Sequence, residues 1–160
     1  MSFSSYWVDD PDHDIEHYGV KGMKWGVRRA ERRRSKHIER ERRRLGIDRA
    51  LRRAHQHGVD WFTKASDKDI DDTVDDKELF DQYGGISGYR KANIDMNAYA
   101  RDLLDLDIKH GQQAIQFYKD LPVDVLKSRK KTNQAVSDFK AKQNQEYEEW
   151  SKTHKYKDVD

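Results

Sequence analysis

The sequence predicts a mostly α-helical protein, with an extended N-terminal arm, a long basic helix and a C-terminal antiparallel helical hairpin. Three observations predict it. Residues 28–57 are dense in Arg and Glu, both good helix formers. Met96, Tyr99, Ala100, Leu103 and Leu104 follow i, i+3, i+4, i+7, i+8, which is one face of a helix. A second stripe, Thr132, Val136, Phe139, Gln143, Tyr147 and Trp150, follows the Leu121-Pro122 pair.

Five segments follow in chain order. Residues 1–27 form an acidic extended arm that ends in a Gly-rich stretch. Asp10-Pro11 and Asp12 favour a turn there. Phe3, Tyr6 and Trp7 give the arm an apolar cluster that can dock on this protein or another. Residues 28–58 form the basic helix. Its apolar positions are sparse, Ala30, Ile38, Leu45, Ala50, Leu51 and Ala54, so it bridges through solvent or binds a polyanion. Gly46 weakens its middle, and His57-Gly58 marks its stop.

Residues 59–92 read as an acidic, loop-rich linker. Thr73 and Asp76 stand at capping-box spacing for a short helix that ends at Tyr83, before Gly84-Gly85. Residues 93–152 carry the two stripes. Asp95 suits the N-cap of the first, Gly111 interrupts or weakens it, and Pro122 lies in the connection of an αα-hairpin. The pair is expected to meet through Leu103, Leu104, Tyr118, Phe139 and Trp150. Residues 153–160 are a tail.

Composition limits the function. Charged residues make up 39% of the 160 residues and the apolar set only 34%. Roughly a quarter charged is usual, so long exposed elements are favoured over a deep enzyme core. No apolar run approaches the ~18 residues of a membrane span. The opening MSFSSYWVDD has neither a basic nor an apolar stretch of the kind a secretory signal needs. With no Cys there is no disulfide framework and no thiolate chemistry.

The net charge of +2 hides blocks. Residues 1–19 hold five acids and no Lys or Arg, whereas residues 20–54 hold 15 bases and four acids. Residues 55–90 are acidic again. Such blocks are usually interaction segments or solvated faces.

Catalytic patterns are weak. His13-Asp14-Ile15-Glu16-His17 matches H-x-x-E-H, a spacing that lets two His share a metal on one helix face. Pro11 before it and Gly19 and Gly22 after it oppose the helix it needs. His55-Gln56-His57 reads as the frayed end of the basic helix, where His suits the dipole. Gly19-Val20-Lys21-Gly22 has the spacing of a G-x-x-G nucleotide clamp without the strand and helices that frame one. Asp71-Asp72 sits in a solvated acidic run. We expect no enzyme, no metal and no cofactor.

Two candidate binding sites remain. The run Arg32, Arg33, Arg34, Lys36, Arg40, Arg42, Arg43 and Arg44 is a polyanion signal, in which Glu31, Glu39 and Glu41 can pair with only a minority of the bases. No DNA-reading motif surrounds it, so DNA contact would be independent of sequence.

The second is HYGVKGMKWGVRR, residues 17–29. It resembles a short motif, roughly H-x-G-V-K-G-x-K-W-G-V-R-R, that recurs in bacteriophage structural and head-morphogenesis proteins. The resemblance covers these 13 of the 160 residues. It implies a phage origin, a place in the virion and, during assembly, the host cytoplasm. A capsid protein or a neighbouring virion component is the partner it implies. The chemistry of the residues fits docking. His17, Gly19, Lys21, Gly22, Met23, Lys24, Trp25, Gly26, Arg28 and Arg29 are the docking candidates. The glycines allow close approach and positive φ. Met23 and Trp25 can fill a pocket, and Arg28 and Arg29 can pair with carboxylates or phosphates. Docking of Trp25 onto this protein's own helices is the competing expectation. A small phage-encoded inhibitor of the host, or a DNA-binding regulator, is the alternative function.

Overall fold

The computed structural model describes residues 20–156, with side chains from Trp25 onward. Among them there is no strand. Six helices follow one another: α1 (Val20–Lys64), α2 (Asp67–Thr73), α3 (Glu78–Gln82), α4 (Ile86–Asp120), α5 (Val123–Lys127) and α6 (Arg129–Thr153). The protein is mostly α, as the sequence predicts.

The main framework is an antiparallel pair of α1 and α4. Arg34 reaches Leu121, Leu45 lies against Gly111, Arg52 pairs with Asp105, and His55 bonds Asn97. Residue numbers rise along one helix as they fall along the other. Two glycines stand close against the facing helix. An added Cβ on Gly111 would lie 3.2 Å from Leu45 Cδ1, and one on Gly58 would lie 2.7 Å from Asn97 Oδ1.

α6 turns back along α4, again antiparallel. Phe139 stacks on Phe117 with centroids 4.3 Å apart, and Trp150 meets Tyr99 at 5.3 Å. Between these aromatic contacts a polar latch closes. Gln143 Nε2 donates to the His110 carbonyl at 3.0 Å, and Tyr147 OH donates to Asp107. Glu146 accepts from His110 Nε2 at 3.0 Å and from Lys109 Nζ at 3.2 Å. These two bonds, the His110 bond foremost, hold the Glu146 carboxyl below the usual glutamate range.

The core is small. Ala30, Tyr118, Leu121 and Leu126 are buried together where α1, α4 and α5 meet. Ile38, Phe117, Val123, Val125, Ala135 and Val136 pack around them. A second cluster closes the far end, where Phe62, Phe80 and Tyr83 each contact Tyr89 edge to face.

Several expectations are corrected. The basic helix does not run from 28 to 58 as a solvated bridge. It starts at Val20, passes unbroken through Gly46 and His57-Gly58, and packs along α4. Residues 59–92 are mostly helical rather than a loop-rich linker. The capping box is Ser66 with Asp69, and Thr73 closes α2 instead of opening the next helix. Asp95 lies inside α4, whose N-cap is Gly85. Gly84 and Gly85, at φ +76° and +100°, make the expected left-handed turn. α4 also passes through Gly111 unbroken, and it ends at Leu121-Pro122 as expected.

Candidate functional site

Arginines decide the geometry at the N-terminal end of α1. The last carbonyls of a helix lack partners within it, and a cation there is doubly favourable. Arg33 Nη1 donates to the carbonyls of Leu126 and Lys127, at 3.0 and 3.3 Å, at the end of α5. Arg34 Nη2 donates to the Leu121 carbonyl at the end of α4, while its Nη1 pairs with Glu31 at 2.8 Å. At the far end Arg90 does the same for α1, donating to the Phe62 and Ala65 carbonyls and pairing with Asp67 at 2.6 Å. Arg33 and Arg34 are among the nucleic-acid candidates, and both also serve the fold, because their guanidinium groups donate to carbonyls.

The rest of the run divides by exposure. Arg32, Lys36, Arg40, Arg42, Arg43 and Arg44 are exposed. Arg43 pairs with Glu39 on the same face. Arg40 lies near His37, which stacks on Tyr118 with centroids 4.6 Å apart. Arg44 lines a cleft of about 260 Å³ with Glu41, Asp107, His110, Lys140 and Tyr147. Burial, then the hydrogen bond to Asp107, pushes the Tyr147 phenol well above its ordinary value, so it stays protonated. His110 Nδ1 is buried without a partner.

His37 yields a pH prediction. Burial chiefly, then Arg40 and Lys140, holds its imidazolium below the ordinary 6.5, with Glu41 opposing. The folded chain therefore binds fewer protons there than the unfolded chain. This contribution to stability is complete above pH 6.5 and falls as pH drops through 6.5 toward the lower folded value. Urea melts at pH 7.5 and 5.5 should show a loss for wild type that is smaller in His37→Gln. An equal loss in both would remove His37 as the cause.

The docking candidates are only partly in view. His17 and Gly19 lie outside the described residues, as does the H-x-x-E-H pattern. Lys21, Gly22, Met23 and Lys24 lie in the first turns of α1, so the segment from Val20 onward is helical rather than an extended Gly-rich arm. Gly26 too is helical, and a Cβ there would meet Lys127 Cε at an ordinary 3.8 Å. Neither close approach nor positive φ explains it.

Trp25 is 55% exposed, which contradicts its docking onto the described helices. The Arg28 guanidinium carbon stands 5.9 Å from the centre of its ring, a cation–π arrangement. Val27 beside it is exposed as well, and so are Arg28 and Arg29. The start of α1 thus carries an exposed indole, an exposed valine and two exposed arginines within two turns.

A family of unknown function, DUF7211, matches the chain over residues 8–32. The match takes in the end of the acidic arm, the whole 17–29 motif and α1 as far as Arg32. No curated protein and no solved structure matches the chain.

Among the described residues no group of three or more His, Cys, Asp or Glu is placed to hold a metal ion. His55 is not at a frayed helix end; it lies inside α1 and its Nδ1 bonds Asn97 Oδ1 at 2.9 Å. Asp71 pairs with Lys77 at 2.9 Å. No described helix is long and apolar enough to cross a membrane. Sequence reasoning missed the capping role of Arg33, Arg34 and Arg90 and the latch around Glu146. The latch residues carry one local signal: Gln143 and Tyr147 belong to the stripe that predicts α6.

Proposed function

We propose that this chain is a non-enzymatic bacteriophage structural or virion-associated protein that docks to an assembly partner through residues 17–29. The observation that carries the reading is Trp25. It is an exposed indole inside the phage-like motif, with Arg28 over its ring, near the start of a long helix. Trp and Arg are the usual anchors of binding hot spots, and a helix fixes them at little further entropic cost. A capsid protein or a neighbouring virion component fits as partner, with residence in the virion and assembly in the host cytoplasm. The exposed bases of α1 add a second contact, to nucleic acid. That feature also favours the second reading, a phage-encoded DNA-binding regulator, which would be absent from particles.

The test is incorporation. Phage carrying Trp25→Ala, Arg28→Ala and Arg29→Ala are purified, and the protein is quantified in the particles by mass spectrometry. We expect the triple variant to be expressed and folded but depleted from particles. Normal packaging of the variant, or absence of the wild-type protein from particles, would overturn the docking role.

A further inference from the structure

We propose that duplex nucleic acid lies on a three-helix cationic surface, in which the outward bases of α1 are joined by Lys127 of α5 and Lys140 of α6. This rests on the nucleic-acid contact of α1 proposed above and extends it to elements distant in sequence.

The first half of the surface is a row. Arg28, Arg32, Lys36, Arg40 and Arg43 are exposed and spaced four, four, four and three residues apart, which keeps them on one side of α1. At 1.5 Å per residue the row from Arg28 to Arg43 extends roughly 22 Å, about two thirds of a turn of a duplex.

The second half is held against the first by contacts of the fold. Arg33 grips the last carbonyls of α5, and Lys127 Cε lies 3.8 Å from the Cβ position of Gly26. Farther along, Lys140 and Arg44 line the same cleft, and Lys140 joins Arg40 in acting on His37. Both lysines are exposed. Among the described residues Lys127 is offset by a long 3.7 Å pairing with Asp124.

The chemistry of the surface selects the partner. Between Arg28 and Arg44 every exposed position is Arg, Lys, Ser or Glu. A protein interface needs an apolar centre, which this stretch lacks, whereas phosphates are met by guanidinium and ammonium groups alone. Exposed Trp25 borders the surface only at its Arg28 edge, and between Arg32 and Arg44 and between Lys127 and Lys142 no exposed aromatic lies. Single strands are normally held by stacking on such rings, so the surface fits a duplex. The acids of α2 and the α2–α3 connection lie at the opposite end of the molecule and would repel phosphate there.

Fluorescence anisotropy tests this with the full chain, two labelled 20-base-pair duplexes of unrelated sequence and a single strand of equal length. Wild type should bind both duplexes alike and prefer them to the single strand. Contact with about six phosphates would give a log–log salt slope near −5. Lys127→Gln with Lys140→Gln should reduce the slope by about two, as should Arg32→Gln with Arg40→Gln. Lys68→Gln with Lys91→Gln, both exposed toward the far end, should leave it unchanged. A slope lowered by the α1 pair but not by the Lys127–Lys140 pair would overturn the three-helix surface and leave the α1 contact standing. No duplex binding at 50 mM salt would overturn both. Preference for the single strand would overturn the duplex, and tighter binding of polyglutamate than of duplex would point to an acidic protein instead.

Discussion

Leu126→Ala should lower the free energy of unfolding by about 2–5 kcal/mol, the range for deleting most of a fully buried leucine. Leu126 and Ile70 are the largest side chains with essentially no exposure. Leu126 sits in a helix of five residues, far too short to persist on its own. What holds α5 in place is burial of Leu126 beside Ala30, Tyr118 and Leu121, together with the grip of Arg33 on its carbonyls. A cavity there would loosen the one place where α1, α4 and α5 share a core. It would also loosen α6, because the Thr132 hydroxyl near its start bonds the Val125 carbonyl at 2.8 Å. Leu126→Met, which keeps the volume, should cost less than about 1.5 kcal/mol. Urea unfolding followed by circular dichroism checks both. A negligible loss in Leu126→Ala would mean that α5 is not part of the core.

The sequence shows the helical class plainly, and the reason is visible in α4 and α6. Their contact residues are apolar or aromatic at helical spacing: Leu104, Tyr118, Phe139, Trp150. The Gly84-Gly85 turn and the Pro122 break are legible because glycine and proline act on the backbone directly. What could not be read is that α1 packs. Its inward positions are Ala30, Arg34, His37, Glu41, Leu45, Asp48 and Arg52, each buried or half-buried. The helical spacing is present, but charged side chains occupy it, so a count of apolar residues finds no stripe. Such a seam is held by long side chains whose stems pack while their heads find partners on α4. Nor could the sequence divide the basic run. Arg33 and Arg34 reach carbonyls 93 and 87 residues away, and no local pattern distinguishes them from Arg32. The motif at 17–29 was legible as a motif. That it continues into α1, with Trp25 left uncovered, needed the structure.

That division of the run leads to the second large effect, at Arg34. Its side chain is only 19% exposed, its Nη2 caps α4 at Leu121, its Nη1 pairs with Glu31, and its Nε is buried without a partner. Arg34→Glu would set a carboxylate against a carbonyl oxygen and beside the Glu31 carboxylate, in place of the cation that now meets both. Leaving a buried charge uncompensated typically costs about 3–5 kcal/mol, and we expect a loss in that range. Arg34→Met keeps much of the packing and forfeits the hydrogen bonds, so about 1–3 kcal/mol is expected. Arg32→Glu reverses the same charge two positions away on the exposed face, where changes usually stay within about 0.5 kcal/mol. The three variants therefore separate two meanings of one basic run. Chemical denaturation should place Arg34→Glu well below wild type and Arg32→Glu close to it, while only Arg32→Glu reports on duplex binding by a folded chain. Equal stability of Arg34→Glu and Arg32→Glu would show that Arg34 is not a cap, and would return it to the bases available for a partner.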